Sequence, residues 1–305
     1  MVVAFDPASS ASRSAPRRLQ QRRHQTAEQP LSHLRLVPAT DPLLAQRDDN
    51  LIRRFYPWLT ALVDHYYRAE VEGSEHLSDK ASLMVSTHNG GMYTPDAYCL
   101  AVAFWRRFGL ETPAYGLMHR FAFKMPVFGS FLTRLGAVPA SRESAATVLR
   151  HDHPLLVCPG GDLDALKPFS QRHRIGFGGR TGFVATAIRH QVPIVPIISV
   201  GAHETVLFLN DGRWLARVSG FSRFLRIKTV PLALSFPFGI TPAGILALPL
   251  PSQVTLRVLP KIELGEPPAA ADDPAVVRRC YDHVVQTMQA SLDDLASRRR
   301  RVVFG

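Results

Sequence analysis

His88 and Asp96 are the residues in this chain best placed to do chemistry, within Ser86-Thr-His-Asn-Gly-Gly-Met-Tyr-Thr-Pro-Asp96. An imidazole oriented by a carboxylate is a general base able to take a proton from a hydroxyl. Ala81 to Val85 is a short apolar run that reads as a buried strand, so His88 falls where that strand ends. Thr94-Pro95-Asp96 reads as a helix start, with Thr94 as N-cap and Pro95 at the first helical position. The spacing therefore predicts an imidazole at a strand tip and a carboxylate in the first turn of the next helix. Gly90 and Gly91 let the backbone bend between them. A second reading of the same residues stands beside it: Asp96 complements a helix dipole and His88 is structural.

Hydrophobic spacing predicts the elements that must hold this pair. Leu51, Ile52, Phe55, Leu59, Leu62, Val63 and Tyr66 recur at helical intervals, with Pro57 as a kink or restart. Strands are expected over 67–72, 81–87, 113–117, 154–158 and 194–200, with a short extended piece at 137–139. Helices are expected over 96–108, 144–150 and 182–190, and a broken helix over 121–135 around Pro126. Asp272-Asp273-Pro274 caps a last helix with Val277, Tyr281, Val284, Met288, Leu292 and Leu295 on one face, ending in Arg298 to Arg301. Alternating strands and helices predict an α/β fold: a single domain with a central mixed sheet flanked by helices. The domain is expected over 48–297, between a disordered basic arm (1–47) and a basic tail (298–305).

Composition narrows the partners. A chain of 305 residues, 46% hydrophobic, can bury one large core. A net charge of +11 calls for an anionic partner: a phospholipid surface, coenzyme phosphates or nucleic acid. Cys99, Cys158 and Cys280 are odd in number, widely spaced and set in apolar runs, as buried thiols of a reducing compartment would be; no zinc spacing occurs. No apolar run follows the early arginines, so no secretory signal is expected. The Arg- and Ser-rich start also has the composition of a mitochondrial presequence, although the disordered arm is the preferred reading. Between Lys228 and Arg257 there is no charged residue, a length able to cross a bilayer. Pro231, Pro237, Pro242, Pro249 and Pro251 would break a helix there. The segment is read as apolar loop and short strand, part core and part a membrane-facing surface.

Four segments follow His88 in a particular order. Gly136-Ala-Val-Pro-Ala-Ser-Arg142 puts an arginine after a short extended piece, and Val157-Cys-Pro-Gly-Gly-Asp162 puts two glycines at a strand tip. Gly179-Arg-Thr-Gly-Phe183 opens a helix, and Val192-Pro-Ile-Val-Pro196 opens a strand. This order resembles the sequence blocks of the lysophospholipid/glycerolipid acyltransferase superfamily (plsC-type acyltransferases), from about Val71 to His203, with weaker agreement to about Leu264. The resemblance implies an acyltransferase that moves a fatty acyl group from acyl-CoA, or acyl carrier protein, to the hydroxyl of a glycerolipid or lysophospholipid. It needs neither metal nor resident cofactor, with acyl-CoA as co-substrate. His88 matches the basic histidine and Asp96 its partner. Arg142 matches the arginine that helps hold an acceptor phosphate, and Gly161 the third-block glycine.

Two departures shape what the resemblance implies. Seven residues, Asn89 to Pro95, separate His88 from Asp96 where the family has four, leaving Asp162 and Asp164 as competing partners. Pro159-Gly160-Gly161-Asp162-Leu163 replaces the usual Pro-Glu-Gly-Thr-Arg. With Asp164-Ala165-Leu166 it is more similar to the mono- and diacylglycerol acyltransferase branch, whose acceptors are neutral.

Local chemistry adds to that outline. The N–H groups of Gly160 and Gly161 are candidates to hold a tetrahedral oxyanion, with a plain tight turn as the alternative. From Lys167 to Arg189 the charged residues are Lys167, Arg172, Arg174, Arg180 and Arg189, without an acid. That strip suits coenzyme A phosphates or lipid headgroups, or else forms a solvated basic face. The arginine-rich ends add attraction to an anionic membrane, and the expected location is peripheral or monotopic on the cytoplasmic face of a membrane. His151-Asp152-His153 has metal-ligand chemistry but falls in an expected turn before a strand, and His203-Glu204 lacks the second histidine of a zinc helix, so no metal site is expected. Ester or thioester hydrolysis is disfavoured because no Gly-x-Ser-x-Gly elbow occurs. A non-catalytic basic protein that binds membrane or nucleic acid is the remaining reading; nucleic acid is not the expected partner, because the arginines flank an ordered domain without interleaved aromatics.

Overall fold

A computed structural model describes residues 41–218, 230–242 and 248–301. Most of the expected N-terminal arm (1–40), part of the uncharged stretch (243–247) and the last four residues lie outside the described residues. In chain order the elements are α1 (Asp49–Ala61), β1 (Glu70–Glu72), β2 (Leu83–Ser86), α2 (Pro95–Phe108), β3 (Tyr115–Met118), α3 (Pro126–Arg134), β4 (Ala137–Pro139) and α4 (Arg142–Arg150). There follow β5 (Leu155–Val157), the single turn α5 (Asp162–Ala165), α6 (Gly182–His190), β6 (Ile194–Val200), β7 (Leu207–Phe208), α7 (Arg213–Val218), β8 (Leu232–Ser235), β9 (Gly239–Pro242), β10 (Thr255–Val258) and α8 (Pro274–Arg298).

Seven strands form a mixed sheet in the order β1-β10-β6-β2-β5-β3-β4. β6, β2, β5, β3 and β4 run parallel, and β10 runs antiparallel to β6. The period-two alternation of the strands sorts their side chains onto two cores. Leu83, Val85, Ile194, Ile198 and Val200 face a layer containing α4, α6 and α8. Met84, Val195, Ile197, Leu256 and Val258 face α1 and α2. Both faces are covered, so the central strands read as continuous apolar runs. β7, β8 and β9 make a separate three-stranded sheet. Among the described residues no helix is long and apolar enough to cross a membrane.

Several local expectations are corrected. Residues 41–47, expected in the disordered arm, are ordered: Leu44 is buried in the first core and Arg47 donates to the Leu110 carbonyl at 2.6 Å. α1 runs through Pro57 and widens into a π-type turn over Leu62–Tyr66. Tyr67 closes that turn in a helical conformation and Arg68 takes a φ of +44°, so the expected first strand pairs only over Glu70–Glu72. Pro126 does separate two pieces, a 3₁₀ segment Arg120–Lys124 and α3. The last helix is capped as expected, Asp273 accepting from the N–H groups of Ala275 and Val276.

The basic tail does not begin where the composition places it. α8 continues through Arg298, and the Arg299 side chain, only 7% exposed, forms a bidentate pair with Glu204 at 2.9 and 2.6 Å. Arg299 is therefore a tether between the last helix and the turn after β6, unavailable to a membrane. Removing one partner of a buried ion pair leaves the other uncompensated, so Arg299→Ala is expected to lose about 3 kcal/mol of stability in urea titration. A loss below about 1 kcal/mol would make the tether incidental.

Candidate active site

The parallel strands bring three tips to one edge of the sheet: β5, β2 and β6 are neighbours, and each ends there in a loop carrying polar residues. Ligands of open α/β sheets bind at this carboxyl edge. After β2 comes His88, after β5 Pro159-Gly160-Gly161, and after β6 Gly201-Ala202-His203-Glu204.

His88 is half-buried, and burial lowers its pKa below the usual 6.5, the nearby Asp164 charge pulling it back up. Its Nδ1 is buried and, among the described residues, without a hydrogen-bond partner, as is Oδ1 of Asn89. Buried polar atoms are normally paired, so an orphan beside a strand tip needs an explanation, of which a catalytic role is one. Asp96 does not bond the imidazole. Its Oδ2 accepts the N–H of Asn89 at 2.8 Å and its Oδ1 the N–H of Ala97 at 3.0 Å. Ser199 Oγ lies 3.5 Å from Oδ2 and also accepts from Asn89 Nδ2 at 2.8 Å. Burial pushes Asp96 up to about 7, opposed by its two backbone N–H donors.

The seven-residue spacing explains this geometry. Gly90 and Gly91 take φ of +77° and +61°, and Thr94 follows at +39°. A Cβ on Gly90 would lie 2.8 Å from the Ala202 carbonyl, and one on Gly91 2.9 Å from the Phe208 ring. The loop is thus folded tightly enough for Asp96 to reach the backbone beside His88 instead of the ring. Thr94 enters α2 in a left-handed conformation and makes no side-chain cap, contrary to its expected role.

Asp164 is the carboxylate that fastens the histidine. Fully buried, it accepts the N–H of His88 at 2.8 Å through Oδ2, and through Oδ1 the N–H of Gly176 at 3.0 Å and Lys167 Nζ at 2.8 Å. One side chain thereby joins the tip of β2, the turn after β5 and the 174–176 loop. Lys167 also donates to the Arg174 carbonyl at 2.8 Å. In the sequence Asp164 is legible only as a competing partner and Lys167 as part of a basic strip; their three-residue separation is the available signal.

The Pro-Gly-Gly turn is shaped by packing. A Cβ at Gly160 would sit 2.3 Å from Asp164 Cβ and 2.8 Å from the Gly176 carbonyl. Gly160→Ala is therefore expected to destabilise by about 1–3 kcal/mol through overpacking, read by urea titration, and to lower activity in the folded fraction. An unchanged midpoint would mean that the turn yields freely. The N–H of Gly161, a candidate oxyanion donor, donates to the Cys158 carbonyl at 3.1 Å. Arg180, expected to bind substrate, donates instead to the carbonyls of Gly160 (2.7 Å) and Pro159 (3.2 Å) and to Asp162 (2.9 Å).

Acids just before the expected basic strip and others from elsewhere in the fold largely neutralise it. Arg189 pairs with Asp272, and Arg172 lies 3.9 Å from Glu204 with its guanidinium over the Phe169 ring. Arg142 is exposed in the first turn of α4. With Ser141, Leu117, Val157 and Phe183 it lines an apolar cleft of ≈ 160 Å³.

Comparison with known proteins matches residues 68–200 to the acyltransferase family model. An uncharacterized protein of Mycobacterium tuberculosis is 32% identical over 257 residues, covering 82% of this chain and 67% of the relative. The mouse protein named DGAT1/2-independent enzyme synthesizing storage lipids is 31% identical over 180 residues; the match covers 58% of this chain and about half (51%) of that protein. Among solved structures, the 1-acyl-sn-glycerophosphate (LPA) acyltransferase PlsC of Thermotoga maritima aligns with a TM-score of 0.47 at 16% identity, covering 85% of this chain and 81% of that one.

Proposed function

Since the chain belongs to the acyltransferase family, we propose that it moves a fatty acyl group from acyl-CoA, or acyl carrier protein, to the hydroxyl of a glycerolipid at a membrane surface, with His88 as general base. The observation that carries this reading is the half-buried imidazole, its Nδ1 without a partner among the described residues, held through its own backbone by Asp164 beside the Pro-Gly-Gly turn. His88 takes the acceptor proton as the oxygen attacks the thioester carbonyl. The C–S bond then breaks, and the thiolate leaves with the proton from the imidazolium. Gly160, whose N–H makes no hydrogen bond among the described residues, is the candidate donor to the tetrahedral oxyanion. Asp96 is assigned as a positioning residue acting through Asn89, and Gly161 and Arg180 as the frame of the turn.

A neutral mono- or diacylglycerol acceptor is favoured by the engagement of Arg180 and Lys167, which leaves neither guanidinium nor ammonium free at the glycine turn. The name of the mouse relative, an enzyme synthesizing storage lipids, agrees with that choice. A phosphorylated acceptor remains the second reading, with Arg142 at the mouth of its apolar cleft holding the phosphate. A thiol-release assay across neutral and phosphorylated glycerolipids distinguishes them. Turnover with lysophosphatidate alone, abolished in Arg142→Ala, would overturn the neutral assignment.

The pH profile offers a further test. A general base works neutral, and burial lowers the His88 pKa, so kcat/KM should rise with pH through a value below 6.5 and level off by neutrality. An acid limb centred near 7 that disappears in Asp96→Asn would belong to Asp96 instead.

A further inference from the structure

We propose that the β8–β9 hairpin is a shallow bilayer-insertion element, whose outward face enters the apolar edge of a lipid membrane. The proposal deepens the lipid-acceptor reading above by naming the surface that meets the lipid. Strand register carries it. Leu234 stands opposite Ile240 and Leu232 opposite Pro242, so these four share the outward face, while Ala233 and Ser235 alternate to the inside. Inside, the Ser235 hydroxyl pairs with Thr241 at 2.5 Å and Ala233 packs with Val206 and Phe208. Outside, Leu234, Phe236, Phe238 and Ile240 are 49%, 67%, 61% and 62% exposed. An antiparallel sheet with one face in water puts polar residues outward. This one is reversed, as strands facing lipid are.

Charge favours a bilayer over a protein partner. One residue in five of the chain is charged (20%), yet 229–256 contains no Asp, Glu, Lys or Arg. Protein interfaces carry a polar rim, whereas hydrocarbon penalises any charge. Among the described residues β9 is an edge strand with one side unpaired, so its backbone must stay near the interface and insertion is shallow. The hairpin is also attached to the active site. The small sheet's Val206, Phe208 and Ala233 pack with Tyr93 and Leu166, and Phe208 lies against Gly91 of the loop after His88. Seating the hairpin in lipid therefore holds the catalytic loop at the membrane.

The test is sedimentation of the full chain with phosphatidylcholine/phosphatidylglycerol vesicles at high salt, which screens headgroup attraction. Wild type should still bind. Phe238→Ser/Ile240→Thr should partition at least about tenfold more weakly, because two large apolar side chains are no longer transferred from water. Both side chains are exposed, so its melting temperature should match wild type. Phe238→Trp should bind like wild type, with added emission that shifts to the blue on vesicles and is quenched by brominated acyl chains. Undiminished binding by the double variant, loss of wild-type binding at high salt, or no Trp shift would each overturn the proposal. So would conversion of a wild-type dimer to monomer with vesicle binding unchanged, which would make the patch a self-association surface. Binding is read without turnover. An inactive chain with hairpin-dependent binding would sink the acyl-transfer reading alone, and an active chain with hairpin-independent binding would sink this one alone.

Discussion

His88→Ala is expected to lower kcat for acyl transfer by ~10²–10⁴-fold, the range a positioned histidine base supplies. That corresponds to about 3–5 kcal/mol of transition-state stabilisation. The substrate alcohol is a poor nucleophile while it keeps its proton, and no other imidazole takes its place at the β2 tip. His203, after β6, is buried, has its Nε2 on the Lys167 carbonyl at 2.8 Å, and burial lowers its pKa to about 3. KM should change little, because the ring acts on the reacting hydroxyl and not on the acyl chain. Stability should change little as well, since the ring's buried nitrogen bonds nothing among the described residues. A variant that keeps a third or more of wild-type turnover would remove His88 from the chemistry.

Asp164→Asn is expected to cost about 3–5 kcal/mol in urea titration, because Lys167 would remain buried without its counter-charge. Its side chain is fully buried and holds three donors, and an amide presents two N–H groups where only acceptors are needed. Turnover in the folded protein should fall more than in Asp96→Asn. The reason lies in where each carboxyl stands. Burial pushes the Asp96 carboxyl up to about 7, which favours its neutral form, and an asparagine there imitates that form. Its oxygen still accepts the N–H of Asn89. Asp164→Asn/Lys167→Met removes both charges and should recover most of the lost stability. If Asp96→Asn proves the more damaging change to kcat, the direct His88–Asp96 pairing returns; if Asp164→Asn is as stable as wild type, the buried pair does not brace the site.

Much of this was legible in one sequence. The alternation of short apolar runs with helical spacing determines an α/β sheet, because periods of 2 and 3.6 are local properties of the chain. The same holds for His88 at a strand tip, for two glycines where the backbone turns back, and for a last helix capped by Asp273. The order of the blocks from Val71 to His203 determined the family. Contacts between distant residues were decided only by the tertiary structure. Asp164 reaches His88 across 76 positions, and Arg299 reaches Glu204 across 95. No periodicity encodes such pairs, since strand order and helix packing bring them together. The basic strip misled in part for the same reason: charge along a sequence is visible, but Glu204 and Asp272, which face Arg172 and Arg189, arrive from other elements. The uncharged stretch shows the division most plainly. Composition announced its apolarity, while the register Leu234 to Ile240 decided which side chains face outward, because a shift of one residue would have turned them in.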